Sequence, residues 1–242
     1  MGADWKYEPA HDHGLTWRER FRSIRREAGL FSSATSFAWR GLTRLYLRGV
    51  HRLGVDGAEH LPAAPPFVLA ANHGSHLDTL VLSSALPRAM SWNAFPLAAG
   101  DTFFETPAVS AFASMFINAL PVWRRSCGAH SLDELRRRLA EDHCIFILFP
   151  EGTRTRTGQI ARFKPGIGRL VGGHAVPVVP CHLTGAWEAL PPGRSLPRPR
   201  KISLRIGRPL DFSHLSKSRD DCRTIAADTE AAVRALATDS SA

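Results

Sequence analysis

Cysteine is scarce. Cys127, Cys144, Cys181 and Cys222 stand far apart and form no CxxC pair. That spacing argues against a structural zinc site or a disulfide framework. Cys144 and Cys181 fall in apolar runs and read as buried thiols of a reducing compartment. No uninterrupted apolar run approaches the roughly 18 residues that a spanning helix needs. The N-terminus has no continuous apolar core, which argues against a secretory signal. A GxSxG elbow and a Walker A loop are both missing, which removes the standard serine-hydrolase and P-loop chemistries. Gly166-Ile167-Gly168 with Gly172 misses the dinucleotide spacing and follows no strand directly. Internal repeats are absent, and so is any recognisable nucleic-acid module.

Acidic residues are also in short supply. Lys and Arg number 31 against 22 Asp and Glu, a formal charge of +9. The excess favours anionic partners such as phospholipid headgroups or phosphorylated substrates, although plain solubility explains it too. The length of 242 residues suits one good core, with room for a small appendage.

Residues 1–14 read as a flexible polar leader. His11-Asp12-His13 within it is read as solvated tail in preference to a metal site. Residues 15–50 predict two helices broken near Gly29–Ser33, with Trp17, Phe21 and Ile24 in the first and Phe37, Leu42 and Leu45 in the second. Arginines lie among these apolar residues, including Arg40, Arg44 and Arg48. Two readings stand: helices lying in the headgroup layer of a membrane, or a helical pair packed on the main domain.

From residue 51 to 238 strands and helices alternate, which predicts an α/β domain. Strands are expected at Phe67–Ala71, Trp92–Ala99, Ile145–Phe149, Val176–Val179 and Ile202–Ile206. Helices are expected at His76–Leu86, Ala108–Ile117, Gly166–Val171 and Thr224–Leu236. A further helix carries Leu132, Leu135 and Leu139, and the pattern Ser131-Leu132-Asp133-Glu134 marks its start as a capping box. Leu190–Arg200, rich in Pro and Arg, reads as a surface loop.

Two strand ends carry complementary chemistry. Asn72-His73-Gly74-Ser75-His76-Leu77-Asp78 follows the run Phe67–Ala71 and holds a His and an Asp five positions apart. An imidazole titrates near neutrality, and a carboxylate behind it fixes its tautomer and stabilises the imidazolium. Asn72 is expected to hold the loop by side-chain hydrogen bonds. His76 is read as a helix-start residue or as a support to the site. Phe149-Pro150-Glu151-Gly152-Thr153-Arg154 follows Ile145–Leu148 and offers an acid, a flexible Gly and a guanidinium fork suited to phosphate. Alone it also fits a loop salt bridge. Lys164 adds a cation nearby. Arg124 and Arg125 end the segment Phe116–Trp123 and are candidates for phosphate contact or plain surface charge.

Asn72-His73 through Asp78 resembles the NHxxxxD motif of the glycerolipid acyltransferases of the lysophosphatidic acid acyltransferase family. Phe149–Arg154 resembles that family's FPEGTR motif, and Val176-Pro177-Val178-Val179-Pro180 its Pro-containing fourth block. The likeness covers about residues 50 to 210. At the second block the chain departs, with Asn118–Trp123 standing before Arg124 where an acid and Arg are common.

The resemblance implies a mixed, largely parallel sheet flanked by helices, with an N-terminal helical pair. It implies transfer of a fatty acyl group from acyl-CoA or an acyl carrier protein to a lysophospholipid hydroxyl, most simply lysophosphatidic acid. In that transfer His73 is the base and Asp78 its orienter. Glu151, Gly152, Thr153, Arg154 and Lys164 belong to the acceptor site, with Arg124 or Arg125 on the phosphate. Backbone N–H groups of the 73–76 turn are candidates for the oxyanion. No cofactor, metal or covalent intermediate is called for, and the partners are the lysophospholipid, the acyl thioester and an anionic membrane surface. The expected place is a peripheral one on the cytoplasmic face of a membrane. The alternatives are another lysolipid, a non-phosphate acceptor, or a non-catalytic lipid-binding protein; nucleic acid is not expected as a partner.

Overall fold

The computed structural model describes residues 12–16, 19, 20, 23, 30–99, 106–122 and 129–238. The first of the two expected N-terminal helices therefore lies largely outside the described residues, as do Arg124, Arg125 and Cys127.

Among the described residues seven strands form one sheet: β1 (Gly54–Asp56), β2 (Phe67–Ala71), β3 (Ala94–Ala99), β4 (Leu120–Val122), β5 (Ile145–Leu148), β6 (Val178–Thr184) and β7 (Ser203–Ile206). Their order is β1-β7-β6-β2-β5-β3-β4. All pairs are parallel except β6 with β7. The helices are α1 (Leu30–Val50), α2 (Leu77–Ala85), α3 (Pro107–Met115), α4 (Ala129–Glu141), α5 (Gly166–Val171), α6 (Ala186–Ala189) and α7 (Arg219–Thr238). This is the α/β domain that the sequence pattern predicts, with the mixed, largely parallel sheet flanked by helices that the resemblance implies.

The central strands are buried on both faces. Phe67, Leu69, Ala71, Ile145 and Ile147 pack into one core, while Val68, Ala70 and Phe146 pack into another on the opposite face. The period of two along a strand sends alternate residues to the two sides, and helices cover each side. Both β2 and β5 therefore end deep in the molecule, and the loops that follow them are held on a rigid base.

Some boundaries move. Strand β6 was expected to stop before Pro180 but runs on to Thr184, because Cys181 and Leu183 are buried and continue the ladder against β7. Helix α4 begins before the expected capping box, and Glu134 is taken by the guanidinium of Arg137 at 3.0 Å. Strand β1 carried no readable apolar run; it pairs at the sheet edge with β7.

Helix α1 packs on the domain through Thr43 and Leu47, both buried, one turn apart. Arg44 donates from Nε to the Ser84 carbonyl at 2.9 Å and also reaches the Leu86 carbonyl; Arg40 reaches the Ser91 carbonyl. The Ser84 and Leu86 carbonyls lie at the C-terminal end of α2, where main-chain acceptors lack helical partners, and Ser91 opens the short turn that leads into β3. Two arginines that suit a headgroup layer in sequence thus bond main-chain carbonyls of the domain, and Arg44 caps the end of α2. Burial, with Arg44 beside it, pushes Arg40 down to about 10. The opposite side of α1 leaves Phe37, Leu42 and Leu45 exposed. No helix among the described residues is long and apolar enough to cross a membrane.

Candidate active site

Strand β2 ends at Ala71, and the next residue keeps the ladder going with its side chain. Asn72 Nδ2 donates to the Leu183 carbonyl at 3.0 Å, and the Leu183 N–H donates to Asn72 Oδ1 at 2.8 Å. A primary amide carries the same donor and acceptor as a peptide unit, so it pairs with β6 as one more strand residue would. The chain then turns sharply into α2, and Ser75 closes the turn by donating from Oγ to the Leu190 carbonyl at 2.9 Å.

Asp78 sits in the first turn of α2 and is 1% exposed. Its Oδ2 lies 2.9 Å from His73 Nδ1 and accepts from the N–H groups of Gly74 and Ser75, both at 2.8 Å. Three donors converge on one oxygen, which fixes the carboxylate and directs His73 Nδ1–H toward it. That tautomer leaves Nε2 as the acceptor. The imidazole stacks on Phe149, with ring centroids 4.0 Å apart and an interplanar angle of 14°. One wall of the imidazole is thus the aromatic ring that opens the second motif.

The second motif leaves β5 and crosses over the first. Glu151 is 3% exposed. Its Oε1 accepts from the His73 N–H at 2.7 Å and its Oε2 from the Ala161 N–H at 2.9 Å. Burial raises its carboxyl above the ordinary range, against the pull of those two amides and of His73. Thr155 N–H returns to the His73 carbonyl at 2.8 Å. Gly152 has φ +76°, and a Cβ there would stand 2.7 Å from Lys164 Nζ. The Gly allows both the left-handed turn and the approach of the ammonium. Arg154 is half-buried; desolvation lowers its pKa while the charge of Asp78 opposes the shift. Thr153 is exposed on the same loop.

His76 precedes α2. Desolvation, then Arg154 and His73, push its imidazole down to about 4. Much of its surface is nevertheless open, so solvent screens part of that effect.

A cavity of about 220 Å³ opens in front of His73. Leu97, Val122, Leu148, Phe149 and Ile167 give it an apolar wall, and Lys164 lies on its edge. A second cavity of about 550 Å³, lined by polar and apolar groups alike, lies behind the two loops, against Asn72, Asp78, Glu151 and Trp187.

The fold therefore brings His73, Asp78, Glu151, Gly152 and Lys164 together, with Arg154 beside them. The amides of His73, Gly74 and Ser75, expected as oxyanion donors, are all committed to Glu151 and Asp78, because the tight turn folds them back onto buried carboxylates. Sequence reasoning gave no role to the Phe149 ring, although its place directly after a strand and before the acid was visible. It also missed Leu97, Val122 and Ile167, which come from separate elements and carry no motif.

A family model described as Acyltransferase matches residues 52–184. The 1-acyl-sn-glycerol-3-phosphate acyltransferase of Bacillus subtilis (strain 168) is 32% identical over 192 residues, covering 77% of this chain and 86% of that protein. The human 1-acyl-sn-glycerol-3-phosphate acyltransferase alpha is 31% identical over 137 residues, 56% of this chain and 46% of the relative. The chain spans about half the length of the animal relatives it matches. The crystal structure of the 1-acyl-sn-glycerophosphate (LPA) acyltransferase from Thermotoga maritima shares the fold, with a TM-score of 0.65 at 24% identity, over 85% of this chain and 78% of that one. With more than half of its residues matched by the family model, the chain belongs to the Acyltransferase family.

Proposed function

We propose that the protein transfers a fatty acyl group from an acyl thioester to the free hydroxyl of lysophosphatidic acid, giving phosphatidic acid. One observation carries this reading: an imidazole braced by a buried carboxylate faces an apolar cavity edged by a cation. The apolar wall suits an acyl chain, and Lys164 and Arg154 suit the phosphate of the acceptor. The names of the Bacillus subtilis and human relatives support the same acceptor.

In this reaction His73 Nε2 takes the hydroxyl proton while Asp78 stabilises the imidazolium that forms. The hydroxyl oxygen bonds to the thioester carbonyl carbon, and the tetrahedral oxyanion collapses with cleavage of the C–S bond. The thiolate leaves with the proton that His73 held. The products are the ester and the free thiol, with no acyl-enzyme between them. Phe149 keeps the imidazole in plane and shields it from water. The donor is an acyl-CoA or an acyl carrier protein thioester.

The reading also sets the protein on a membrane surface, at the cytoplasmic face. Phe37, Leu42 and Leu45 on α1 and Val109 and Phe112 on α3 are exposed, and Arg48 stands near them in sequence. Such a mixture favours the interface between headgroups and acyl chains.

The test is release of free thiol from an acyl-CoA or an acyl carrier protein thioester, with and without lysophosphatidic acid. Release that depends on the acceptor, with phosphatidic acid as product by mass spectrometry, is expected. His73→Ala should abolish it while circular dichroism stays unchanged. Wild-type turnover in that variant would remove His73 as the base.

A further inference from the structure

Glu151 belongs to a motif whose charged residues invite assignment to the acceptor. Its surroundings argue otherwise. Both carboxylate oxygens are occupied by backbone N–H groups, His73 at 2.7 Å and Ala161 at 2.9 Å. The side chain is 3% exposed. It borders the second cavity, behind the loops, and not the apolar cavity in front of the imidazole. The loop it spans also holds His73 from the other side, because the Thr155 N–H donates to the His73 carbonyl at 2.8 Å. Both main-chain polar groups of His73 are therefore fixed by the 151–161 segment.

We propose that Glu151 is a positioning residue: it clamps the main chain of His73, ties that clamp to Ala161, and does not bind the acceptor. The inference rests on the reading of His73 as the base. Its physical content is geometric. Asp78 fixes the ring through Nδ1, but the ring also needs a fixed Cα, since a general base must stand within hydrogen-bond reach of its proton. The turn 73–76 has its own amides turned inward on Asp78, which orients the ring and leaves the position of the His73 peptide to its neighbours. Glu151 supplies that position. A carboxylate is needed because two N–H donors approach from two directions, and only a group with two acceptor oxygens receives both.

The two roles separate in kinetics. A residue that binds the acceptor equally in ground and transition states changes KM, whereas a lost alignment changes kcat. Glu151→Gln turns an NH2 donor toward one of the two amides. Glu151→Asp keeps the charge but falls short by one C–C bond, about 1.5 Å. Both variants should lose kcat on the order of a hundredfold. KM for lysophosphatidic acid should stay within about twofold of wild type in both. Charge alone does not rescue, so Glu151→Asp should be no better than Glu151→Gln. A raised KM with kcat retained, or rescue by Glu151→Asp, would overturn the proposal.

A second measurement uses the wild-type protein and needs no variant to fold. With the Glu carboxyl carbons labelled with carbon-13, the Glu151 resonance is followed across pH with and without saturating lysophosphatidic acid. An unchanged titration is expected. A displacement by a pH unit or more would place the acceptor on Glu151 and end the idea. Failure of wild-type enzyme to acylate any lysolipid would instead strike the proposed function, and that result is distinct from either outcome at Glu151.

Discussion

Asp78 Oδ2 stands 2.9 Å from His73 Nδ1 and also receives the N–H groups of Gly74 and Ser75. One oxygen thus shapes the turn and sets the tautomer of the ring. The two tasks can be separated by substitution. Asp78→Ala would leave buried amides without an acceptor, at about 1–3 kcal/mol each, and would confuse folding with catalysis. Asp78→Asn keeps the size and one acceptor oxygen. Its NH2 cannot accept from Nδ1–H when its oxygen serves the amides, so the ring is driven toward the wrong tautomer. The expected result is a fall in kcat of about 10²- to 10⁴-fold, with a melting temperature close to wild type. Stopped-assay kinetics beside a thermal melt check it, and full activity in Asp78→Asn would dissociate the carboxylate from the chemistry.

The legible parts of this fold were those written locally. Phe67–Ala71 and Ile145–Leu148 are short apolar runs with no room for a helix, and the polar residues that follow them can only be loops. The spacing of His73 and Asp78 spans one turn, which is why the pair was readable from sequence. Long-range facts were not. Nothing near Arg40 or Arg44 in sequence says that their guanidinium groups bond main-chain carbonyls 40 to 51 residues away. Nothing near Glu151 says that its oxygens go to backbone amides. Backbone N–H groups occur at every residue but Pro, so their partners leave no compositional trace. The apolar wall of Leu97, Val122, Leu148 and Ile167 is likewise assembled by strand order, and strand order is a property of crossovers rather than of any one segment.

Acid sensitivity should have a specific contributor in His76. Desolvation, with Arg154 and His73 close by, takes its imidazole from an ordinary 6.5 to about 4. The folded ring binds its proton more weakly than the unfolded one, so protons favour the unfolded chain. The stabilising contribution is whole above about pH 6.5, declines as pH falls below that, and is gone beneath about pH 4. His174 and His182 are lowered too, each by desolvation first, and act in the same direction. His76→Gln removes one of these groups and leaves the others. The fall in melting temperature between pH 6.5 and pH 4 should become shallower in that variant than in wild type, modestly so because the ring is screened by solvent. Parallel curves for the two proteins would show that His76 titrates alike in the folded and unfolded chains.

The outer face of α1 offers the clearest test of membrane contact. Leu42 is 59% exposed and Leu45 72%. Phe37 stacks on Trp92 at 5.8 Å, and both rings remain open to solvent. Leu42 and Leu45 make little contribution to the folded domain, whose contact with α1 includes Trp39, Arg40, Thr43, Arg44 and Leu47. Replacing Leu42 and Leu45 together by Ser should therefore leave the melting temperature nearly unchanged. It should weaken sedimentation with vesicles of anionic phospholipid by at least about tenfold, since fully burying a leucine contributes about 1.5–3 kcal/mol. Activity on a short-chain, soluble lysophosphatidic acid should survive, because His73 and its cavity lie on other elements. Equal sedimentation of the variant and wild type would exclude this face from the membrane. Equal loss of activity on soluble and vesicle-bound acceptors would mean instead that α1 acts on the catalytic cavity through the fold.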